Sequence, residues 1–255
     1  MILVILAAGR GKRLGSMTQN LPKCLINLKK KNLIDYNLPF IKKFKKTVII
    51  TGYKSNLIEK KFKLFKSIKI IKNNFFSKTN MVYSLFKSTK YIKKTKKNVV
   101  VIYSDIIFDK SIFNLLKENQ SFIVIYKDWL KIWKLRNNNN LQKIKSDAED
   151  IVLKKDNLIS IGGKIKNSLP TYQYMGILKF RYKDFIKIND YFKTLKNKKI
   201  DFTSFINLVL KKKIVKIKVK KTNKFWLEID NQKDLRAANK LIKYRNFLSK
   251  NYQPF

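Results

Sequence analysis

The sequence predicts an α/β fold around a mostly parallel, mixed central sheet, and three observations carry that prediction. Short β-branched runs alternate with longer amphipathic stretches through the first half of the chain. Apolar runs separated by helical patterns mark βαβ units, whose strands are buried on both faces. The chain's 255 residues contain neither an internal repeat nor a Gly/Ser-rich or Pro-rich linker. That length is within the ~250–300 residues that one core can organise, so a single domain over 1–255 is expected. The opening apolar run ends abruptly at residues 8–11 in "AGRG", a turn suited to the end of a sheet strand.

Taken in order, "MILVIL" reads as a strand, "NLIDYNLPFIKKF" as a helical stretch and "TVIIT" as a strand. "SNLIEKKFKLF" reads as a helix, "IKII" as a strand, "TNMVYSLFKST" as a helix and "NVVVIYSD" as a strand. Further strands are expected at "SFIVIY", at "YMGILKF", and as a hairpin in "DIVLKKDNLISIGGKI" turning at "KKDN", which together form a small β extension. "DFTSFINLVLKK" has helical spacing, "IVKIKV" alternates like a strand, and "NQKDLRAANKLIKYRNFL" closes the chain as an amphipathic helix. "RNNNNLQ" is the clearest loop.

Composition excludes several kinds of chemistry. The chain has no histidine, which removes the Ser-His-Asp triad, His-ligated zinc and an imidazole general base. Its single cysteine, Cys24, forms no intrachain disulfide or thiolate cluster. Lys and Arg total 59 against 16 acids, for a net charge of +43. The lysines are spread from end to end, as a solvated surface requires, so no specific nucleic-acid partner is expected. No apolar run approaches the ~18 residues of a membrane span, and the opening lacks a basic leader, so the expected location is cytoplasmic.

In the first turn, Gly9, Gly11 and Gly15 fall as G-x-G-x-x-x-G. This misses the dinucleotide fingerprint by one residue, and no Gly-Lys-Ser/Thr follows as in a P-loop. Glycines at the carboxyl edge of a parallel sheet, with Lys12 and Arg13 beside them, still make a cradle for phosphates.

The stretch "LAAGRGKRLGSMTQNLPKCL" resembles the opening of the nucleotidyltransferases that make nucleoside-diphosphate sugars and CDP-alcohols. Leu6, Ala7, Ala8, Gly9, Gly11, Arg13, Pro22 and Lys23 are the matching positions. The resemblance implies a three-layer Rossmann-like fold, with a nucleotide-binding half over 1–125 and an acceptor-binding half over 126–255. It also implies that the glycine loop holds the base and phosphates of a nucleoside triphosphate, and that Arg13 and Lys23 hold the departing pyrophosphate. Asp105, ending "VVVIYSD", and Asp230, in "FWLEIDNQKDLRAA", stand where the family binds Mg²⁺. Asp109 is a spare carboxylate near Asp105, and Asp234 reads as a helix cap.

"NNFFSKTNMVYSLF" is similar to the corresponding region of bacterial CTP:phosphocholine cytidylyltransferases and their aminoalkylphosphonate-using relatives. That similarity implies that Asn80 and Ser84 help recognise a pyrimidine, with CTP the favoured triphosphate; capping of a helix start is the competing role for both. The implied acceptor is a small phosphate or phosphonate carrying an amine. Its cation needs an aromatic cage or a carboxylate, and Trp129, Trp133, Tyr172 and Tyr174, with Glu228 and Asp147, are the candidates. The spacing of Trp129 and Trp133 equally suits a packed helix stripe. A sugar-1-phosphate nucleotidyltransferase serving surface polysaccharide is the alternative, and a homodimer is compatible with either.

Overall fold

In a computed structural model that describes residues 1–165 and 168–251, nine strands form one twisted sheet. Strand β1 (Ile2–Ala7) lies between β4 (Thr47–Thr51) and β6 (Val99–Tyr103), and β5 (Ile68–Lys72) pairs with β4 at one edge. These four are mutually parallel. The short strands β2 (Asn27–Leu28) and β3 (Lys31–Asn32) form a small hairpin outside the sheet.

Beyond β6 the sheet is mixed. Strand β11 (Gln173–Phe180) runs antiparallel to β6 and to β8 (Phe122–Tyr126). Strand β12 (Lys218–Thr222) is parallel to β8. The hairpin of β9 (Ile151–Lys154) and β10 (Asn157–Ile161) closes the far edge. Only β11 and β10 oppose the common direction, so the expected mostly parallel, mixed sheet is present.

The core follows from the sequence pattern. Ile2, Leu3, Val4 and Ile5 in β1 and Val99 to Ile102 in β6 are almost fully buried, as continuous apolar strands covered on both faces must be. Each such side chain contributes about 1.5–3 kcal/mol by leaving water. Helices Ser55–Phe62, Met81–Phe86, Tyr182–Thr194 and Phe202–Lys211 turn their apolar sides to this core through Ile58, Val82, Phe185 and Phe205.

Three expectations change. The strand expected at "IVKIKV" is shifted: β12 takes only its last two residues, Lys218 and Val219, because pairing with β8 begins at Lys218, and Val215 and Ile217 are buried ahead of it. The loop in "RNNNNLQ" shrinks to residues 137–140, because Arg136 ends one helix and Leu141 begins the next, with Asn138 and Asn139 left-handed between them. "NLIDYNLPFIKKF" divides into a 3₁₀ segment, Leu33–Asn37, and one α-turn, Leu38–Ile41, with a proline at the join. No helix among the described residues is long and apolar enough to cross a membrane.

Candidate active site

Because β1, β4 and β6 are parallel and in register, their carboxyl ends open on the same edge of the sheet. The chain leaves β1 through Ala8 and Gly9, and at Gly11 it adopts φ +77°. A Cβ at Gly11 would stand 2.9 Å from Lys23 Cβ, whereas one at Gly9 would meet nothing within 4 Å. Gly11 is therefore required by backbone conformation and by the close passage of Lys23, while Gly9 leaves open space for a ligand. Thr18, fully buried, donates its hydroxyl to the carbonyls of Gly11 and Gly15 and closes the loop. Tyr53 braces it from outside, donating its phenol to Gln19 O beneath the Arg10 guanidinium.

Asp105 and Asp230, 125 positions apart, meet through a three-residue ribbon. Strand β7 (Ile106–Phe108) pairs antiparallel with β13 (Trp226–Glu228), with Ile106 opposite Glu228. The Ile229 amide then donates to Asp105 O at 3.1 Å, so both aspartates lie at the same end of the ribbon. Lys23 Nζ lies between them, 2.5 Å from Asp105 Oδ2 and 2.5 Å from Asp230 Oδ1. Arg13 Nη2 lies 3.1 Å from Asp230 Oδ1, and the Arg13 side chain is 67% exposed.

Burial disfavours the Lys23 charge, yet the two aspartates outweigh it and raise its pKa. Burial opposes the Asp230 charge in the same way, and Lys23 with Arg13 holds that carboxylate below its ordinary range. The adjoining Cys24 is buried, with its thiol pushed up to about 12, and is inert.

These groups line one end of a cavity of about 480 Å³. Asp147, Glu149, Asp201 and Glu228 line the rest of it, with Tyr103, Trp133, Tyr174 and Phe202 among them. With Asp105 and Asp230, six of the sequence's 16 acids face one cavity in a strongly basic protein. Burial first, then Asp230 and Asp105, push the Glu228 carboxyl well above its usual range. Glu149 is raised by burial and by Asp201, against a 2.9 Å hydrogen bond from Thr203. The Gln173 side-chain amide grips the Glu149 backbone, accepting its N–H at 3.1 Å and donating to its carbonyl at 2.6 Å.

A second recess of about 120 Å³ adjoins the loop, lined by Leu6, Ala8, Gly9, Asn80 and Ser84 among others. Ala7 is buried in β1 and lines neither space. Asn80 caps helix Met81–Phe86 by accepting the Met81 amide at 2.8 Å. Ser84 accepts from Asn73 at 3.0 Å, and Asn73, fully buried, also donates to Thr79. Asn73 organises this recess; it opens the stretch that singled out Asn80 and Ser84, but its own role emerges only from these hydrogen bonds.

The aromatic candidates separate. Trp133 and Tyr174 line the main cavity; Trp129 and Tyr172 do not. Trp129 lies 2% exposed, edge-on to Trp133 at 5.5 Å, with its indole N–H donating to Pro170 O. The helix-stripe role thus accounts for Trp129, while Tyr103 and Phe202 are cavity aromatics that sequence spacing did not reveal.

Among the described residues no group of three or more His, Cys, Asp or Glu is poised as a complete metal cage. Two carboxylates are nevertheless the donor set that suits Mg²⁺, which keeps waters and takes remaining oxygens from substrate phosphates. Asp105 Oδ1 is buried without a hydrogen-bond partner, an orphan acceptor that a hard cation would satisfy.

A family model described as nucleotidyl transferase matches residues 2–245. The chain belongs to the nucleotidyl transferase family. Over 250 residues it is 28% identical to a CTP:phosphoglutamine cytidylyltransferase of Campylobacter jejuni, covering 91% of this chain and 96% of the relative. Its fold is similar to the inositol-1-phosphate CTP transferase of T. maritima, with TM-score 0.72, 20% identity and coverage of 94% and 95% of the two chains. It is also similar to the CTP:phosphocholine cytidylyltransferase of Streptococcus pneumoniae, with TM-score 0.67, 21% identity and coverage of 94% and 99%. The protein is therefore a nucleotidyltransferase enzyme, and its relatives include cytidylyltransferases.

Proposed function

We propose that this nucleotidyltransferase moves CMP from CTP to a small phosphate or phosphonate that carries an amine, releasing pyrophosphate in an Mg²⁺-dependent reaction. The observation that carries the reading is the two-ended cavity. Lys23, Arg13 and the glycine loop line one part of it, with Asp105, Asp230 and Glu228 beside them, and Asp147, Glu149 and Asp201 with aromatic faces line another.

The glycine-loop amides, Arg13 and Lys23 hold the triphosphate and stabilise the charge that builds on the departing pyrophosphate. Asn80 and Ser84, at the smaller recess, contact the base. Asp105 and Asp230 would hold Mg²⁺, which when bound would supply positive charge to offset that of the reacting phosphates. The acceptor's phosphate attacks in line. Its second pKa is about 6, so it is already ionised at neutral pH and a chain without histidine needs no general base. The protein's work is positioning two anions and neutralising them.

At the other end, a carboxylate shielded from water without a cation is costly, and an ammonium on the acceptor compensates Glu149 while Tyr174 and Trp133 cover its methylene or methyl groups. A neutral, hydroxyl-rich sugar would offer Glu149 no such partner. In this reading residues 1–125 bind the nucleotide and residues 126–255 the acceptor.

The test is pyrophosphate release with Mg²⁺ for CTP, UTP, GTP, ATP and dTTP. Each is crossed with phosphocholine, phosphoethanolamine, 2-aminoethylphosphonate, phosphoglutamine, glucose-1-phosphate and mannose-1-phosphate. Turnover confined to CTP with an amine-bearing acceptor is expected; turnover confined to sugar phosphates overturns the acceptor assignment.

A further inference from the structure

A line of buried side chains runs beside the cavity from its acidic wall to the Asp230 backbone. Arg136, only 6% exposed, ends helix Trp129–Arg136. Its Nε lies 2.6 Å from Asp234 Oδ1 and its Nη2 lies 3.4 Å from Asp147 Oδ2, on the cavity wall. The guanidinium sits 4.5 Å above the Trp133 ring, and Trp133 stacks on Trp226 with centroids 5.8 Å apart and planes 12° from parallel. Trp226 opens β13, the strand that leads to Asp230. Asp234, 2% exposed, uses its other oxygen, Oδ2, to accept the amides of Asp230 at 2.8 Å and Asn231 at 3.1 Å.

Helix capping alone does not call for this arrangement. Asn231 accepts the Lys233 and Asp234 amides and Asp234 reaches back to Asn231, a reciprocal box that caps the last helix without an arginine. Burying a guanidinium and a carboxylate together strips both ions of hydration, so such a pair is poor evidence for stability and better evidence for a specified geometry. Arginine also suits the place for a stated reason: its guanidinium puts one nitrogen at ion-pair distance from Asp234 and another from Asp147, which a single ammonium cannot reproduce.

We propose that Arg136 and Asp234 are positioning residues, Asp234 holding the Asp230 backbone so that its carboxylate meets that of Asp105, and Arg136 holding Asp234 against the acceptor wall. The inference rests on the reading of Asp105 and Asp230 as the Mg²⁺ carboxylates.

The test is Mn²⁺ titration of the full chain by electron paramagnetic resonance, without nucleotide, for wild type, Asp230→Asn, Asp234→Asn, Arg136→Met and Arg136→Lys. Steady-state kinetics with CTP and thermal melts accompany it. Removing a group that orients a metal ligand weakens metal affinity or activity by about 10–100-fold. That loss is expected in Mn²⁺ affinity and kcat together for Asp234→Asn and Arg136→Met, with the KM for CTP little changed. Arg136→Lys should recover part of it, because one ammonium can still reach Asp234. A purely structural role would lower Tm while leaving Mn²⁺ affinity per folded molecule at the wild-type value, and that result overturns the proposal. If Arg136→Met does not fold, Asp234→Asn and Arg136→Lys decide the matter by the same criterion. Unchanged Mn²⁺ binding in Asp230→Asn defeats the metal reading itself; loss there, with wild-type binding in the other folded variants, defeats the positioning inference alone.

Discussion

The two ends of the main cavity are built in opposite ways. The phosphate end is local: β1, the glycine turn and Lys23 come from one run of 22 residues, Ile2 to Lys23, and the backbone does much of the shaping. The acidic end is assembled from scattered segments, with Asp147, Glu149, Tyr174 and Asp201 brought in by different helices, strands and loops. A locally encoded end depends on conformation that only certain residues allow; an assembled end depends on side-chain charge held by remote partners. Substitutions should therefore separate chemistry at the first end from acceptor choice at the second.

The largest effects belong to the charged groups of the phosphate end. Lys23→Ala and Asp105→Ala should each lower kcat by about 10²–10³-fold, the range for losing one preorganised electrostatic group, with secondary structure retained by circular dichroism. Wild-type turnover in both would remove them from the chemistry.

Next come the two loop glycines, which the structure distinguishes. Gly11→Ala must place a side chain at φ +77° and 2.9 Å from Lys23 Cβ. The left-handed conformation alone costs about 1–2 kcal/mol, so both Tm and activity should fall. Gly9→Ala meets no protein atom, so its Tm should match wild type while the KM for the triphosphate rises. Equal melting curves for the two variants would break the distinction between a conformational glycine and a ligand-facing one.

At the assembled end, Glu149→Gln keeps the shape and removes the charge. It should raise the KM for an amine-bearing acceptor by about tenfold, the equivalent of 1.4 kcal/mol, and leave the KM for CTP unchanged. A parallel rise in both constants would show that the ends are not separable.

The smallest effect is a pH dependence of stability without metal. Burial and its acidic neighbours raise Glu228 in the folded protein above the ordinary 4.5, so between the unfolded and folded pKa values the native state holds more protons than the unfolded state. Stability then falls as pH rises from the unfolded pKa through the folded one. Glu228→Gln should melt higher than wild type at neutral pH, and the difference should close as pH falls toward 4.5. A pH-independent difference between the two melts would contradict the shift.

The same contrast explains what the sequence made legible. The parallel strands were readable because each is a continuous β-branched run, and the phosphate loop because glycine, arginine and lysine sit at fixed local spacing. Asp105 and Asp230 were placed by resemblance, but their meeting depends on the β7–β13 ribbon, whose three-residue strands carry no periodicity of their own. Trp129 and Trp133 share one helix face in any pattern analysis, and only packing decides that Trp133 alone reaches the cavity. Glu149, Asp201, Tyr103 and Phe202 gave no local signal, since a solitary acid or aromatic looks the same on a surface as on a cavity wall. Thr18 and Asn73 act through backbone carbonyls and neighbouring side chains that are defined only once the chain has folded.

The most direct measurement is identification of the product by ³¹P NMR and mass spectrometry after incubation with CTP, Mg²⁺ and equal concentrations of phosphoethanolamine, phosphocholine and glucose-1-phosphate. A CDP-linked amine as the main product, with pyrophosphate in equal amount, is the predicted result. CDP-glucose as the main product would contradict the account, because a neutral sugar would then have been chosen over an ammonium by a cavity lined with Asp147, Glu149, Asp201 and Glu228.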